Sequence, residues 1–164
     1  MEPRSSGASH WPTFLDGERP ASPRERGAPR TIDTVHISTS LLATHAEVGA
    51  DGLLAVRGGG WEFYSVPRMP ATIQGFLAGL IEFDHDEIGT THALRLTLAD
   101  EQGRDLGSAA AMVIMPQRKI APFAVPFTGI VNESGRFAVT LSDDAGPLIV
   151  VESEVRLNEP RPTD

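Results

Sequence analysis

His-Ala-Leu-Arg-Leu-Thr-Leu, residues 92–98, is the stretch that decides the fold class. Its three leucines alternate with Arg95 and Thr97, so that one face of an extended chain would be apolar and the other polar. This alternation is typical of a half-buried strand in an antiparallel sheet. The stretch therefore predicts a β-strand whose leucines face a core.

The same period of two recurs on both sides of this stretch. It is clear in "RFAVTL" (136–141) and in "VVESEVRL" (150–157), where Val151, Val155 and Leu157 are expected to point inward. Further strand candidates lie at 34–38, 53–57, 61–66, 72–83, 109–115 and 123–131. Only "SLLATHAEV" (40–48) has helical character, and it could equally continue a strand. We predict an all-β protein, an Ig-like antiparallel β-sandwich of about 7–9 strands.

The expected domain organisation is simple. Residues 1–31 predict a disordered tail because Pro, Gly, Ser and Arg dominate them and large apolar residues are few. Residues 32–157 predict the β-sandwich domain, and residues 158–164 a flexible C-terminal tail.

Composition excludes several classes of function. The chain has 164 residues, no cysteine and a net charge of −8, so disulfide frameworks and thiolate metal sites are excluded. The acidic balance argues against a nucleic-acid partner, which would need clustered Lys and Arg. No apolar run approaches the roughly 20 residues that span a bilayer, and no secretory signal is recognisable at the N-terminus. We therefore expect a cytoplasmic protein without a membrane or nucleic-acid partner.

Three adjacent glycines, Gly58-Gly59-Gly60, separate the strand candidates 53–57 and 61–66. They suit a bulge, a tight hairpin, or a bent strand that crosses from one sheet to the other. A phosphate-binding loop is disfavoured because such a loop needs a following helix, and the residues after Trp61 are strand-like.

The order of these segments resembles that of the DUF6941 family of small bacterial proteins. The resemblance rests on "LLATHAEVGADGLLAVRGGGWEFY" and on "MPATIQGFLAGLIEFDHDEIGTTHALRLTLADEQGRDL", and it is best over residues 34–106. Leu53 stands where the family usually has Lys, and an Asp usual near Thr44 is absent. The resemblance implies an Ig-like β-sandwich and implies no activity, cofactor or partner.

Two loops rich in carboxylates form the basis of a metal-binding alternative. One loop contributes Asp84, Asp86 and Glu87, and the other contributes Asp143 and Asp144. Hard oxygen ligands of this kind bind calcium. The spacing differs from that of an EF-hand loop, and Asp is also common in turns because it bonds its own backbone amides. A metal-dependent binding domain is therefore an alternative, and otherwise no cofactor is expected.

A hydrolase of unfamiliar type is the second alternative. It would use His45 or His92 beside a nucleophile or a carboxylate. No Gly-x-Ser-x-Gly elbow occurs in the chain. The parity of His92 with the leucines of its strand predicts a structural histidine at the edge of the inward face.

The function that the sequence favours is a non-catalytic binding or protein-interaction module. Residues 115–127 predict an edge strand because Pro122 and Pro126 lack the amide that an inner strand needs. Such an edge could pair with a protein partner or with a second copy of the chain. The candidates for contact residues are Trp61, Phe63, Tyr64, Lys119 and Phe123.

Overall fold

The computed structural model describes residues 35–107 and 110–158. These residues form nine β-strands and one short 3-10 turn at His85–Glu87. The strands are β1 (His36–Val48), β2 (Leu54–Gly59), β3 (Phe63–Val66), β4 (Ala71–Glu82), β5 (His92–Asp100), β6 (Ala110–Ile114), β7 (Ile120–Val131), β8 (Gly135–Ser142) and β9 (Pro147–Leu157).

The strands form two sheets. Sheet A has the order β2-β1-β4-β7, and sheet B has the order β3-β9-β8-β5-β6. All strand pairs are antiparallel except β3 and β9, which run parallel from the Phe63–Glu154 pair to the Val66–Leu157 pair. The prediction of an all-β sandwich is confirmed, and the parallel pair is the departure from a fully antiparallel arrangement.

The core lies between the inward faces of the sheets, as the period of two predicts. The leucines of β5 are at most 2% exposed and pack with Phe137 and Val139 of β8. Sheet A contributes Ile73, Leu77 and Ile81 of β4, all fully buried. Leu157 is an exception to the predicted pattern, because it lies at the end of β9 and is 51% exposed.

The glycine run carries the chain from one sheet to the other. β2 ends at Gly59 in sheet A, and β3 begins at Phe63 in sheet B. Gly58 and Gly60 have positive φ values of 61° and 76°, which only glycine adopts at little cost. The bent-strand interpretation is therefore confirmed, and the tight hairpin is wrong because the two strands belong to different sheets.

Two other predictions concern the two ends of the chain and the segment 40–48, which has helical character. The segment 40–48 is entirely strand, as the continuation of β1. The predicted tails at 1–31 and 158–164 fall on residues outside the described part of the chain, apart from Asn158. None of the described residues forms a helix that is long and apolar enough to cross a membrane.

Candidate functional site

Four strands lie at the edges of the sheets: β2 and β7 in sheet A, and β3 and β6 in sheet B. An edge strand presents unpaired backbone N–H and C=O groups that another chain can use. The four edges differ in how well these groups are protected, and the difference singles out one of them.

The β7 edge is well protected. The amide of Ile130 donates to the carbonyl of Leu106, so the even-numbered residues of β7 direct their backbone groups away from β4. Pro122 and Pro126 occupy two of these outward positions and have no N–H to offer. An isolated bridge between Gly107 and Gly129 covers the edge near the C-terminal end of β7. The edge-strand prediction is confirmed for residues 120–127, whereas residues 115–119 lie in the loop before β7. β7 is a poor acceptor for a partner strand.

The β2 edge is irregular and the β3 edge is short. β2 ends in two glycines, of which Gly58 has a positive φ. β3 has only four residues, and the guanidinium of Arg156 lies 4.5 Å from the centre of the Phe63 ring. Short, kinked or cation-flanked edges discourage strand pairing.

The β6 edge is open. The carbonyl of Leu98 accepts a hydrogen bond from the amide of Leu106, and the amide of Asp100 donates one to the carbonyl of Arg104. The backbone groups of the even-numbered residues of β5 are therefore directed towards β6. Met112 of β6 pairs with Leu94 of β5. In an antiparallel ladder, the backbone groups of alternate residues bond to the neighbouring strand. Those of Met112 and of the other even-numbered residues of β6 therefore bond to β5, and those of the odd-numbered residues point away from the sheet.

The outward-facing backbone groups of β6 belong to Ala111 and Val113. Among the described residues, neither has a backbone hydrogen bond outside its own strand pairing. Val113 is 69% exposed and Met115, just beyond the strand, is 55% exposed. Met112 and Ile114 point inward but are only partly buried. The edge thus combines free backbone groups with apolar side chains on both faces, and residues 110–115 carry no charge.

The predicted contact residues lie in different places. Phe63 is 45% exposed, and Lys119 is exposed in the loop before β7. Trp61 and Tyr64 are partly buried against the core, with ring centroids 5.5 Å apart. Phe123 is 1% exposed, so its proposed role in surface contact is corrected: it is a core residue. The five residues do not form one surface.

Trp61 fills the end of the sandwich where the chain changes sheets. A Cβ added to Gly75 would lie 3.0 Å from the Trp61 ring and 2.9 Å from the Phe127 ring. The absence of a side chain at Gly75 therefore lets the indole lie against backbone. Its Nε1 atom is buried and has no hydrogen-bond partner among the described residues.

The two acidic loops lie at the same end of sheet B, because Ser142 pairs with Arg95 near the start of β5. Their carboxylates serve their own turns, however. The Glu87 carboxylate accepts from the Asp84 amide at 3.0 Å, and Asp143 accepts from two amides of its turn, the nearer at 2.8 Å.

Asp86 and Asp144 are exposed, as is Asp84. Within residues 35–107 and 110–158, no group of three or more Asp, Glu, His or Cys side chains is placed to hold a metal ion. The residues of the metal-binding alternative therefore do not fit a metal ion in the described structure.

The most developed ionic cluster surrounds the β5–β6 turn. Asp100 accepts hydrogen bonds from the amides of Gln102 and Arg104, and it forms an ion pair with the Arg104 guanidinium. The same guanidinium contacts Glu133 at 3.0 Å. A polar cavity of about 260 Å³ lies between this turn and the β7–β8 turn.

The turn shifts the pKa of Asp100. Partial burial acts to raise that pKa, while the hydrogen bonds and charge from Arg104 and the amide of Gln102 act to lower it. The hydrogen bonds and the charge together outweigh burial, so the pKa of Asp100 lies below its ordinary value. Because Asp100 is fully engaged with its turn, the arrangement fits a structural role.

Neither histidine of the hydrolase alternative has a catalytic partner among the described residues. His45 is exposed on sheet A and contacts the edge of the Phe76 ring, with centroids 5.5 Å apart. His92 is partly buried against Phe83, and its Nε2 atom is buried without a hydrogen-bond partner among those residues. Its position on the inward side of β5 agrees with the predicted parity.

The outward groups of Ala111 and Val113 were not among the predicted site residues. A signal was present in the sequence, because the run from Leu106 to Gln117 carries no charge and no proline before Pro116. The sequence alone did not show that the strand from this run would lie at an edge.

Comparison with known proteins gives little further information. No family model matches the chain, and no curated protein matches it. Among solved structures, the chain is similar to the Pseudomonas fluorescens alkylpurine DNA glycosylase AlkC bound to DNA containing an abasic site analog, with 11% identity and a TM-score of 0.37. The match covers 58% of this chain and 27% of that chain, and a similarity this weak carries no argument about function.

Proposed function

We propose that the protein is a non-catalytic interaction module that binds an extended segment of a partner protein along the edge of β6. The observation that carries the proposal is the pair of outward-facing backbone positions at Ala111 and Val113, which have no backbone partner beyond β5 among the described residues. In strand addition, main-chain hydrogen bonds supply affinity, and alternate side chains supply specificity.

The surroundings of β6 define the chemistry of the partner. Val113 offers an apolar contact on the outer face of sheet B, and the partly buried Met112 and Ile114 offer apolar contacts at the opening between the sheets. A partner strand with apolar residues on both faces would cover these side chains. A charged strand would have its charges desolvated without a counter-charge from residues 110–115.

The Ig-like topology, the resemblance to the DUF6941 family and the cytoplasmic location stay predictions, and none of them supports the strand-addition proposal.

Amide hydrogen exchange tests the geometry of the edge. We expect the amides of Met112 and Ile114 to be protected by their bonds to β5, and those of Ala111 and Val113 to exchange rapidly. Protection of all four amides in the free protein would contradict an open edge.

A proline substitution tests the binding role directly. The probe is a fluorescein-labelled, uncharged peptide rich in valine and threonine, which favour extended strands, and its sequence differs from that of this chain. Val113→Pro removes one outward amide and leaves the β5 ladder intact, since proline is tolerated at such edge positions. We expect at least tenfold weaker binding, which corresponds to about 1.4 kcal/mol.

Val113→Thr is the matched control because it retains both the amide and the branched side chain. Its binding should stay within about threefold of wild type, a change of roughly 0.6 kcal/mol. Equal binding by Val113→Pro and wild type would overturn the proposal. Self-association of the free protein that Val113→Pro abolishes would overturn the choice of partner, because a second copy would then occupy the edge.

A further inference from the structure

Arg95 lies on the outer face of sheet B, one strand away from the open β6 edge. It pairs directly with Ala111 of β6, and both residues are exposed. Among the described residues of β5 and β6, Arg95 carries the only charge on this face. The other outward residues of the two strands are uncharged: Ala93, Thr97, Ala99 and Val113.

The pairing with Ala111 brings Arg95 within reach of a strand added at the edge. Arg95 and Ala111 form a non-hydrogen-bonded pair, since the even-numbered residues of β5 make the bonds to β6, and the Cα atoms in such a pair are about 4.5 Å apart. An antiparallel partner residue opposite Ala111 adds about 5.5 Å. An extended arginine and a carboxylate side chain together span this total of about 10 Å. Because Ala111 has only a methyl group, the guanidinium can pass over it.

The guanidinium of Arg95 has no acidic partner in the part of the chain that the structure describes. The ion pairs found there belong to Arg104 and Arg156. In the turn after β8, the Asp143 carboxylate accepts hydrogen bonds from the amides of its own turn, and Asp144 forms no ion pair with Arg95. The charge of Arg95 is therefore free to meet an acid of a bound segment.

We infer that Arg95 selects partner segments that place a carboxylate opposite Ala111 and an apolar residue opposite Val113. The inference rests on the proposed addition of a strand to β6. Val113 is 69% exposed and is best covered by an apolar side chain, whereas Ala111 offers little apolar surface. A carboxylate opposite Ala111 lies on the outer face, where it stays hydrated and meets the charge that β6 itself lacks.

The partner is therefore an extended segment in which Asp or Glu lies two residues from an apolar residue, so that both side chains are on one face. In an antiparallel partner the carboxylate follows the apolar residue, and in a parallel partner it precedes it. Exposed ion pairs are weak, so Arg95 should contribute more to the choice of segment than to the affinity, which the main-chain hydrogen bonds supply.

Binding of labelled peptides at about 0.15 M salt, where charges more than about 8 Å apart are largely screened, tests the inference. The reference is the uncharged peptide rich in valine and threonine. Two further peptides replace one threonine by glutamate, either two residues before or two residues after a central valine. We expect one of these two peptides to bind the wild-type protein about threefold more tightly than the reference, and which one it is reports the strand direction.

Variants of Arg95 show whether it causes this preference. Arg95→Gln should abolish the preference for glutamate, and Arg95→Glu should reverse it. Arg136→Glu is the matched control, because it makes the same change of charge at another exposed arginine of this face. Arg136 is six residues along β8 from Ser142, the partner of Arg95, a distance of about 20 Å, so this variant should keep the wild-type preference.

The outcomes separate this inference from the proposed function. Equal binding of all three peptides to the wild-type protein would overturn the role of Arg95 and leave strand addition at β6 in place. A preference for glutamate that persists in Arg95→Gln would also overturn it. If none of the three peptides binds, the proposed function fails, and the inference fails with it.

Discussion

At the scale of single residues, the packing around Trp61 depends on what Gly75 lacks. The carbonyl oxygen of Ala43 and the rings of Phe127 and Trp61 all come within 2.9–3.0 Å of the place where a Cβ would stand. Real Cβ atoms essentially never accept three such contacts, so a methyl group there must displace its neighbours.

Gly75→Ala should destabilise the protein by about 1–3 kcal/mol through overpacking. It should also change the fluorescence of Trp61. The contribution of Trp61 to the total fluorescence is the difference between each protein and the same protein with Trp61→Phe. Gly89→Ala is the control, because Gly89 has a φ of 82° and open space around it. That variant should lose stability through backbone strain alone and leave the Trp61 signal unchanged. An unaltered Trp61 signal in Gly75→Ala would contradict the packing.

The Asp100 turn predicts a pH dependence of stability. A carboxyl whose pKa is lowered on folding stabilises the folded state above its unfolded pKa, and this contribution is lost as the pH falls through the folded pKa. The difference in unfolding free energy between wild type and Asp100→Asn should be constant above about pH 5 and shrink below about pH 4. Denaturant titrations at a series of pH values measure it. A difference that persists unchanged well into the acid range would contradict the lowered pKa.

The burial of some residues could be predicted from the local alternation of a strand, and the packing of others could not. The parity of the β5 leucines and of His92 could be predicted because a strand alternates locally. The burial of Phe123 was predictable by the same rule, since Ala121, Val125 and Phe127 share its parity and its burial. The fit of Trp61 against Gly75 was not predictable, because it depends on two segments that meet only in the folded protein.

At the scale of elements, the protection of β7 comes from its prolines. Pro122 and Pro126 stand where a strand would otherwise direct amides away from the sheet. Restoring those amides should open the edge to unwanted pairing.

The Pro122→Ala, Pro126→Ala double variant should aggregate faster than wild type on mild heating, as followed by light scattering. Pro147→Ala controls for the loss of proline rigidity in the unfolded chain, because Pro147 begins β9 and does not lie on the β7 edge. Its aggregation should match wild type. Equal aggregation rates for the double variant and this control would show that the prolines do not protect the edge.

Period and turn chemistry predicted most of the strands, including the inward and outward faces of β5, of β8 and, apart from Leu157, of β9. They did not predict which strands belong to which sheet, nor the parallel pairing of β3 with β9. Partner choice between strands depends on contacts between distant segments, which no local pattern encodes.

At the scale of the whole molecule, the nine strands and the described core lie between Val35 and Leu157. A fragment of residues 32–157 should therefore unfold in one cooperative transition with a midpoint close to that of the full chain. Thermal unfolding followed by circular dichroism checks this. A fragment that lacks β9, such as residues 32–145, serves as the negative control and should not fold cooperatively. Loss of cooperative unfolding in the 32–157 fragment would contradict the predicted boundaries.

The parallel pairing of β3 with β9 has a consequence for how the chain is made. The amide of Glu154 and the hydroxyl of Ser153 both bond to the carbonyl of Glu62, about ninety residues earlier. During synthesis β3 emerges well before β9, which is its only partner among the described strands. Contacts between segments so far apart slow folding, because a long loop must close before they form. The nascent chain therefore holds an unmatched strand until β9 has been made, and this is the interval in which a chaperone or a neighbouring nascent chain would find it.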